Sequence, residues 1–184
     1  MIDVYFEKVK NYENLDLPLP TRKTAYSAGY DFMVAEDIVV PSYLKLMEKF
    51  KTEVGPIDNP ITLCTIAQLT KDYGIKPTLV PTGMKCYMKK NQYLEISVRS
   101  SCPLKYWLVM ANGTGKIDRD YVDNPKNDGH IYFQLINLSP FDILLKKGNV
   151  IGQGIIHEYC ITGNDNATGE RKGGFGSTSK DANN

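Results

Sequence analysis

Between Pro77 and Tyr159 the chain is cut into short apolar runs, and Gly, Pro or Asn separates each run from the next. The runs fall at residues 78–80, 84–88, 93–99, 107–111, 130–137, 141–145 and 150–159. Short runs at this spacing are the pattern of an all-β domain, and they predict a barrel or sandwich of jelly-roll type. Upstream, Ile2, Val4 and Phe6 alternate with polar residues as in an edge strand. Residues 11–23 carry Pro18 and Pro20 and predict an irregular crossing, followed by two strands at 28–34 and 37–40.

One stretch changes period. Tyr43, Leu46, Met47, Phe50 and Val54 recur at helical spacing, as do Leu63, Ile66, Ala67, Thr70 and Tyr73. Asn59 is placed to cap the second helix with Pro60 at its first position, and Gly74 to end it in the left-handed conformation. Residues 42–74 are therefore expected to form a helical hairpin inserted into a β-barrel domain spanning 1–160. Residues 161–184 are rich in Gly, Asn, Ser, Thr and Lys, with Phe175 as their one aromatic. They predict a flexible C-terminal arm.

A chain of 184 residues, 42% of them hydrophobic, can bury one core. Its 22 basic and 21 acidic residues leave a formal net charge of +1, so no global field favours nucleic acid or an anionic membrane, and a bound phosphate must be held by local groups. No apolar stretch approaches the ~20 residues that span a bilayer, and residues 1–8 have no signal-peptide pattern. A soluble, cytoplasmic protein is expected. Cys64, Cys86, Cys102 and Cys160 are widely spaced and read as reduced thiols, neither a zinc site nor a disulfide frame.

The densest chemistry lies in Asn112-Gly-Thr-Gly-Lys-Ile-Asp-Arg-Asp-Tyr-Val-Asp123. Gly113 and Gly115 allow positive φ, and the apolar runs on either side predict a hairpin that presents Asp118 and Asp120 from a rigid scaffold. Rigid placement suits a general base, although two turn acids satisfying backbone amides would read the same way. A calcium loop is excluded because Asp123 stands where its glycine is required and Gly129 where its bidentate acid is required. A Walker phosphate loop is excluded because Ile117 follows Lys116. Arg99-Ser100-Ser101 offers a guanidinium, hydroxyls and turn amides suited to phosphate oxygens, or equally an arginine and a serine-rich turn satisfying carbonyls. In Arg171-Lys-Gly-Gly-Phe-Gly-Ser-Thr178 the glycines permit close approach to an anion and Phe175 could stack on a base; a solvated tail is the alternative. His130 and His157 read as strand residues.

In this order the segments resemble the five motifs of the trimeric dUTP diphosphatase family, in the form found in Firmicutes and their phages. Ala28-Gly-Tyr-Asp-Phe32 resembles the first, Arg99-Ser100-Ser101 the second and residues 112–121 the third. Gly148-Asn-Val-Ile-Gly-Gln153 resembles the fourth and Gly173-Gly-Phe-Gly-Ser-Thr178 the fifth. The resemblance implies a homotrimer of jelly-roll subunits whose sites are built from all three chains. It implies Mg²⁺-assisted hydrolysis of dUTP to dUMP and pyrophosphate, with Asp118 as general base and Asp31 orienting the metal's water shell. Arg99, Ser100, Ser101 and Gln153 would bind phosphate; Asn112, Gly115 and Ile117 would line the uracil pocket; Tyr121 would pack on deoxyribose. Arg171 would supply the fifth motif's cation and Phe175 would stack on uracil as the arm closes.

The chain departs from the pattern at Val150, where the family often has arginine, at Ser101, where glycine is common, and at Arg171, one place nearer the glycines than usual. Residues 122–129 also exceed a minimal turn. The homologous dCTP deaminases share the scaffold, but their catalytic glutamate would fall near Gln134, which cannot transfer protons as a carboxylate does. A regulatory protein that meets a partner through the 42–74 insertion is the non-enzymatic alternative.

Overall fold

The computed structural model describes residues 4–14, 16–57, 59–171 and 173–174. Among them run β1 (Tyr5–Lys8), β2 (Tyr30–Met33), β3 (Ile38–Val40), α1 (Tyr43–Val54), α2 (Leu63–Tyr73), β4 (Thr78–Pro81), β5 (Met84–Tyr87), β6 (Gln92–Val98), α3 (Ser101–Tyr106), β7 (Leu108–Met110), β8 (Gly115–Asp118), β9 (Tyr132–Asn137), β10 (Ile143–Leu145) and β11 (Val150–Glu158). The strands pair antiparallel as β1-β5, β10-β3, β2-β11-β6-β8 and β4-β9-β7. This is the expected all-β, jelly-roll-like fold with a helical hairpin inserted between β3 and β4.

The inward faces meet in an apolar core. Phe32 stacks edge-on against Phe6 at 5.5 Å between ring centres and lies 5.9 Å from Phe133. Two glycines of β11 make room for these rings: a Cβ at Gly152 would sit 2.0 Å from Phe133, and one at Gly154 would sit 2.8 Å from both Leu94 and Phe32. β11 can lie in the middle of its sheet because glycine leaves that space to the rings opposite.

The insertion barely touches this core. Neither α1 nor α2 has a buried residue. The two helices meet through Phe50 and Tyr73, whose rings pack edge-on at 5.5 Å. Ser42 anchors the entry: its Oγ donates to the Ser139 carbonyl (2.6 Å) and its N–H donates to Asp142 (2.9 Å).

Local structure differs from expectation at several points. Thr62, not Asn59, caps α2, because its hydroxyl accepts from the Thr65 amide; Gly74 ends the helix at φ 67° as expected. Residues 101–106 form a helix, too short for periodicity to reveal it. Trp107 is not part of a buried strand: it closes that helix in the left-handed conformation and is 62% exposed. His130 precedes β9 and lies outside it.

The expected hairpin at 107–123 is not a paired hairpin. β7 bonds to β9 while β8 bonds to β6, so residues 111–114 carry the chain from one sheet to the other. Of its two glycines, Gly113 takes positive φ, at 70°, and Gly115 does not. Gly115 is a strand residue, needed because a Cβ there would lie 2.7 Å from Ile96.

Candidate active site

β8 delivers the acids. Asp118 is its last residue, opposite Tyr93 of β6, and a 3₁₀ turn (Arg119–Tyr121) follows at once. The Asp118 side chain makes no capping bond to that turn. Instead the guanidinium of Arg171 bridges two carboxylates: one nitrogen donates to Asp118, and Nε donates to Asp120 Oδ1 at 2.7 Å. The reading of both acids as turn-satisfying residues is therefore replaced by a bidentate cation between them.

Around this pair lies a cavity of about 190 Å³ lined by Asn112, Gly115, Ile117, Asp118, Tyr121, Gln134 and Arg171, among others. Complete small-molecule sites usually enclose roughly 300–1,000 Å³, so this cavity has the size of part of a site. The Tyr121 ring forms a buried wall. Burial pushes its phenol pKa up, against the Asn127 hydrogen bond and the Arg171 charge. Gly174 approaches so closely that a Cβ on it would stand 2.5 Å from the same ring. Phe175 lies outside the described residues.

A second group of expected site residues gathers elsewhere. Asp31 of β2 faces Gln153 of β11 in register, and Arg99 Nε lies 3.8 Å from Asp31 Oδ1. The Gln153 amide packs where a side chain on Gly29 would otherwise stand, 2.7 Å from its would-be Cβ. Arg99 and Ser101 open onto a separate groove of about 480 Å³ that also includes Tyr106 and Asn149. Ser100 precedes α3 without capping it through its side chain. Asp118 stands opposite Tyr93, and Arg99 follows six positions further along the same chain segment. At a strand rise of about 3.3 Å per residue the two are about 20 Å apart.

Among the described residues, no cluster of three or more His, Cys, Asp or Glu could hold a metal. A hydrated cation carried by a ligand is a different matter. Asp31 Oδ2 is buried and accepts no hydrogen bond, so it can receive one from a metal-bound water. The acceptor fits that use.

Sequence reading missed the support beneath Tyr121. Lys85, almost fully buried, donates to Asp123 Oδ1 (2.7 Å) and Asp128 Oδ1 (3.1 Å). Burial alone would lower its pKa, but the bonds to Asp123 and Asp128 outweigh that and raise it. Both aspartates are held at positive φ, 55° and 58°. The excess length of the 122–129 loop was the only signal of this arrangement in the sequence.

No protein-family profile matches the chain. It is 33% identical over 176 residues to the deoxyuridine 5'-triphosphate nucleotidohydrolase of Lactococcus lactis, covering 94% of this chain and 95% of that one. The protein of the same name from Rickettsia typhi is 30% identical over 176 residues, covering 93% and 95%. The crystal structure of dUTPase from Streptococcus mutans aligns with a TM-score of 0.65 and 32% identity, over 85% of this chain and 97% of that one. The dUTPase of S. aureus phage phi11, noted for a species-specific insert, shares the fold with a TM-score of 0.60 at 13% identity, over 90% and 96%. A variant of that phage protein coordinates a structural Mg(II) ion.

Proposed function

The chain belongs to the dUTP diphosphatase (dUTPase) family, in its Firmicutes and phage form, and from that premise we propose how its own residues hydrolyse dUTP to dUMP. The observation that carries the reading is the split along β6. A general base and a phosphate-gripping guanidinium must both act within hydrogen-bond reach of one phosphate chain, and about 20 Å does not allow it. Two copies of the chain do allow it, one presenting Asp118 and the other Arg99. The assembly we propose is a homotrimer with three such shared sites.

In each site the cavity beside β8 takes the nucleoside. Asn112 and the backbone of 115–117 read uracil, Tyr121 packs against the deoxyribose, and Phe175 stacks on the base as the arm closes. The triphosphate draws Arg171 away from Asp118 and Asp120, leaving Asp118 free to bind water. Asp118 takes a proton from that water as its oxygen attacks the α-phosphorus in line, and the bond to the bridging oxygen of pyrophosphate breaks. Arg99, Ser100, Ser101 and Gln153 hold the phosphate oxygens as charge shifts to the leaving group. Mg²⁺ bound to the triphosphate would help neutralise that charge, its water shell steered by Asp31. Deamination of dCTP is disfavoured because Gln134 lines the cavity without a carboxylate.

The reaction would remove dUTP before it enters DNA and supply dUMP for thymidylate synthesis, in the cytoplasm. The insertion bears exposed Leu44, Leu63 and Ile66, which would suit a second role in contacting a protein partner. Pyrophosphate release with dUTP, dTTP, dCTP and UTP, with and without Mg²⁺, tests the reading. Release is expected from dUTP with Mg²⁺, far slower from the other three, and lost by a factor of about 10²–10⁴ in Asp118→Ala while nucleotide binding is kept. Undiminished turnover in that variant would remove Asp118 from the mechanism.

A further inference from the structure

We infer that Asn127 is a positioning residue that fixes the Tyr121 ring and thereby sets the preference for deoxyribose over ribose. The inference rests on the reading of Tyr121 as the sugar-facing wall of the site. The Tyr121 hydroxyl accepts from Asn127 Nδ2 at 2.6 Å and donates to the His130 carbonyl at 3.0 Å. The side-chain amide of Asn127 is oriented by its other end: Oδ1 accepts from Asn124 Nδ2 (2.6 Å) and from the Gly129 amide (3.2 Å). Its NH₂ group is thus directed at the phenol oxygen, and the phenol proton is directed at His130.

Asn124, itself buried, holds the loop to the same tyrosine. Its Nδ2 donates to the Tyr121 carbonyl at 2.8 Å, and its Oδ1 accepts from the amides of Lys126 (3.1 Å) and Asn127 (3.3 Å). Lys85 clamps both ends of the segment through Asp123 and Asp128. Tyr121 is therefore gripped at its backbone and at the far tip of its ring, all by residues of one loop. None of these contacts involves a residue of the fifth motif. The wall is set before the arm closes.

Rejecting a 2′-hydroxyl by packing needs a wall that does not yield, since a ring free to shift by a fraction of an ångström would admit one extra oxygen. Asn127 supplies that stiffness. It touches no part of the nucleotide pocket itself and acts only through Tyr121.

The test measures kcat/KM for dUTP and for UTP in the full chain and in Asn127→Leu, Tyr121→Phe and the double variant, with thermal melts to verify folding. Each single change is expected to lower the dUTP-over-UTP ratio by about threefold to tenfold, chiefly by lowering KM for UTP. The double variant is expected to fall no further than Tyr121→Phe, because that change already removes the phenol through which Asn127 acts. A ratio unchanged in both single variants overturns the inference, and so does an equal loss for both nucleotides, which a merely structural role would produce. If Asn127→Leu fails to fold, Tyr121→Phe alone decides, since the loop keeps its own bonds in that variant. Tyr121→Ala with an unaltered ratio would instead overturn the sugar-facing reading of Tyr121, and the inference with it.

Discussion

Two inactive variants should restore each other. If a site takes Asp118 from one chain and Arg99 from another, Asp118→Ala and Arg99→Ala subunits mixed in one trimer can assemble whole sites that neither variant forms alone. The separation along β6 requires this, because about 20 Å lies between the two groups on one subunit. With equal amounts and random assortment, a site draws an intact carboxylate half the time and an intact guanidinium half the time, so about one quarter of sites are whole. Each parent is expected to lose a factor of about 10² or more, so coexpressed chains should show about one quarter of wild-type pyrophosphate release against a near-zero background. Native mass spectrometry of the same sample counts the mixed trimers. Mixed trimers no more active than the mean of their parents would refute the shared site.

Other perturbations probe the scaffold. Burial holds His130 from its ordinary 6.5 down to about 4, partly opposed by the Asp128 charge, while Nε2 accepts the Gly83 amide at 2.8 Å. The unfolded chain takes up this proton below about 6.5 and the folded chain only below about 4, so stability present above that window is lost as pH falls through it, by up to about 3 kcal/mol. Urea midpoints at pH 7 and 4.5 should record the loss, and His130→Gln should flatten it. An unchanged slope in that variant would assign the loss to other groups. Gly152→Ala forces a methyl against Phe133 and should destabilise by about 1–3 kcal/mol or more, read as a lower thermal midpoint. Replacing residues 43–76 by a short glycine-serine link should leave dUTP turnover unchanged, since α1 and α2 contribute nothing buried; a large loss of kcat would tie the insertion to the chemistry.

What the sequence disclosed and what it hid follow from the range of the forces involved. Strands β2, β6, β9 and β11 were legible because apolar runs and glycine breaks are local signals. The crossing after β7 was not legible, because the partners that separate β7 from β8 lie in β9 and β6, far along the chain. Gly115 was rightly singled out for the wrong reason: its lack of a side chain serves Ile96, not a left-handed turn. The motif residues Asp118, Arg99 and Tyr121 could be named from their order in the chain. Arg171 could be named too, but its bridge between Asp118 and Asp120 could not be foreseen, because it joins residues more than fifty positions apart. Lys85, Asn124 and Asn127 carry no distinctive pattern, and only their convergence in space reveals them.

The points where the insertion leaves and rejoins the barrel have their own consequence. Ser42 bridges to Asn137, and Thr78 pairs with Leu135, two positions away on the same strand. Entry and exit therefore lie within about 10 Å of each other, a gap that a handful of residues can close. At that port the barrel can carry a graft of nearly any size without shifting a strand, so whatever is spliced there can diversify at its own pace while the hydrolase beneath stays as it is.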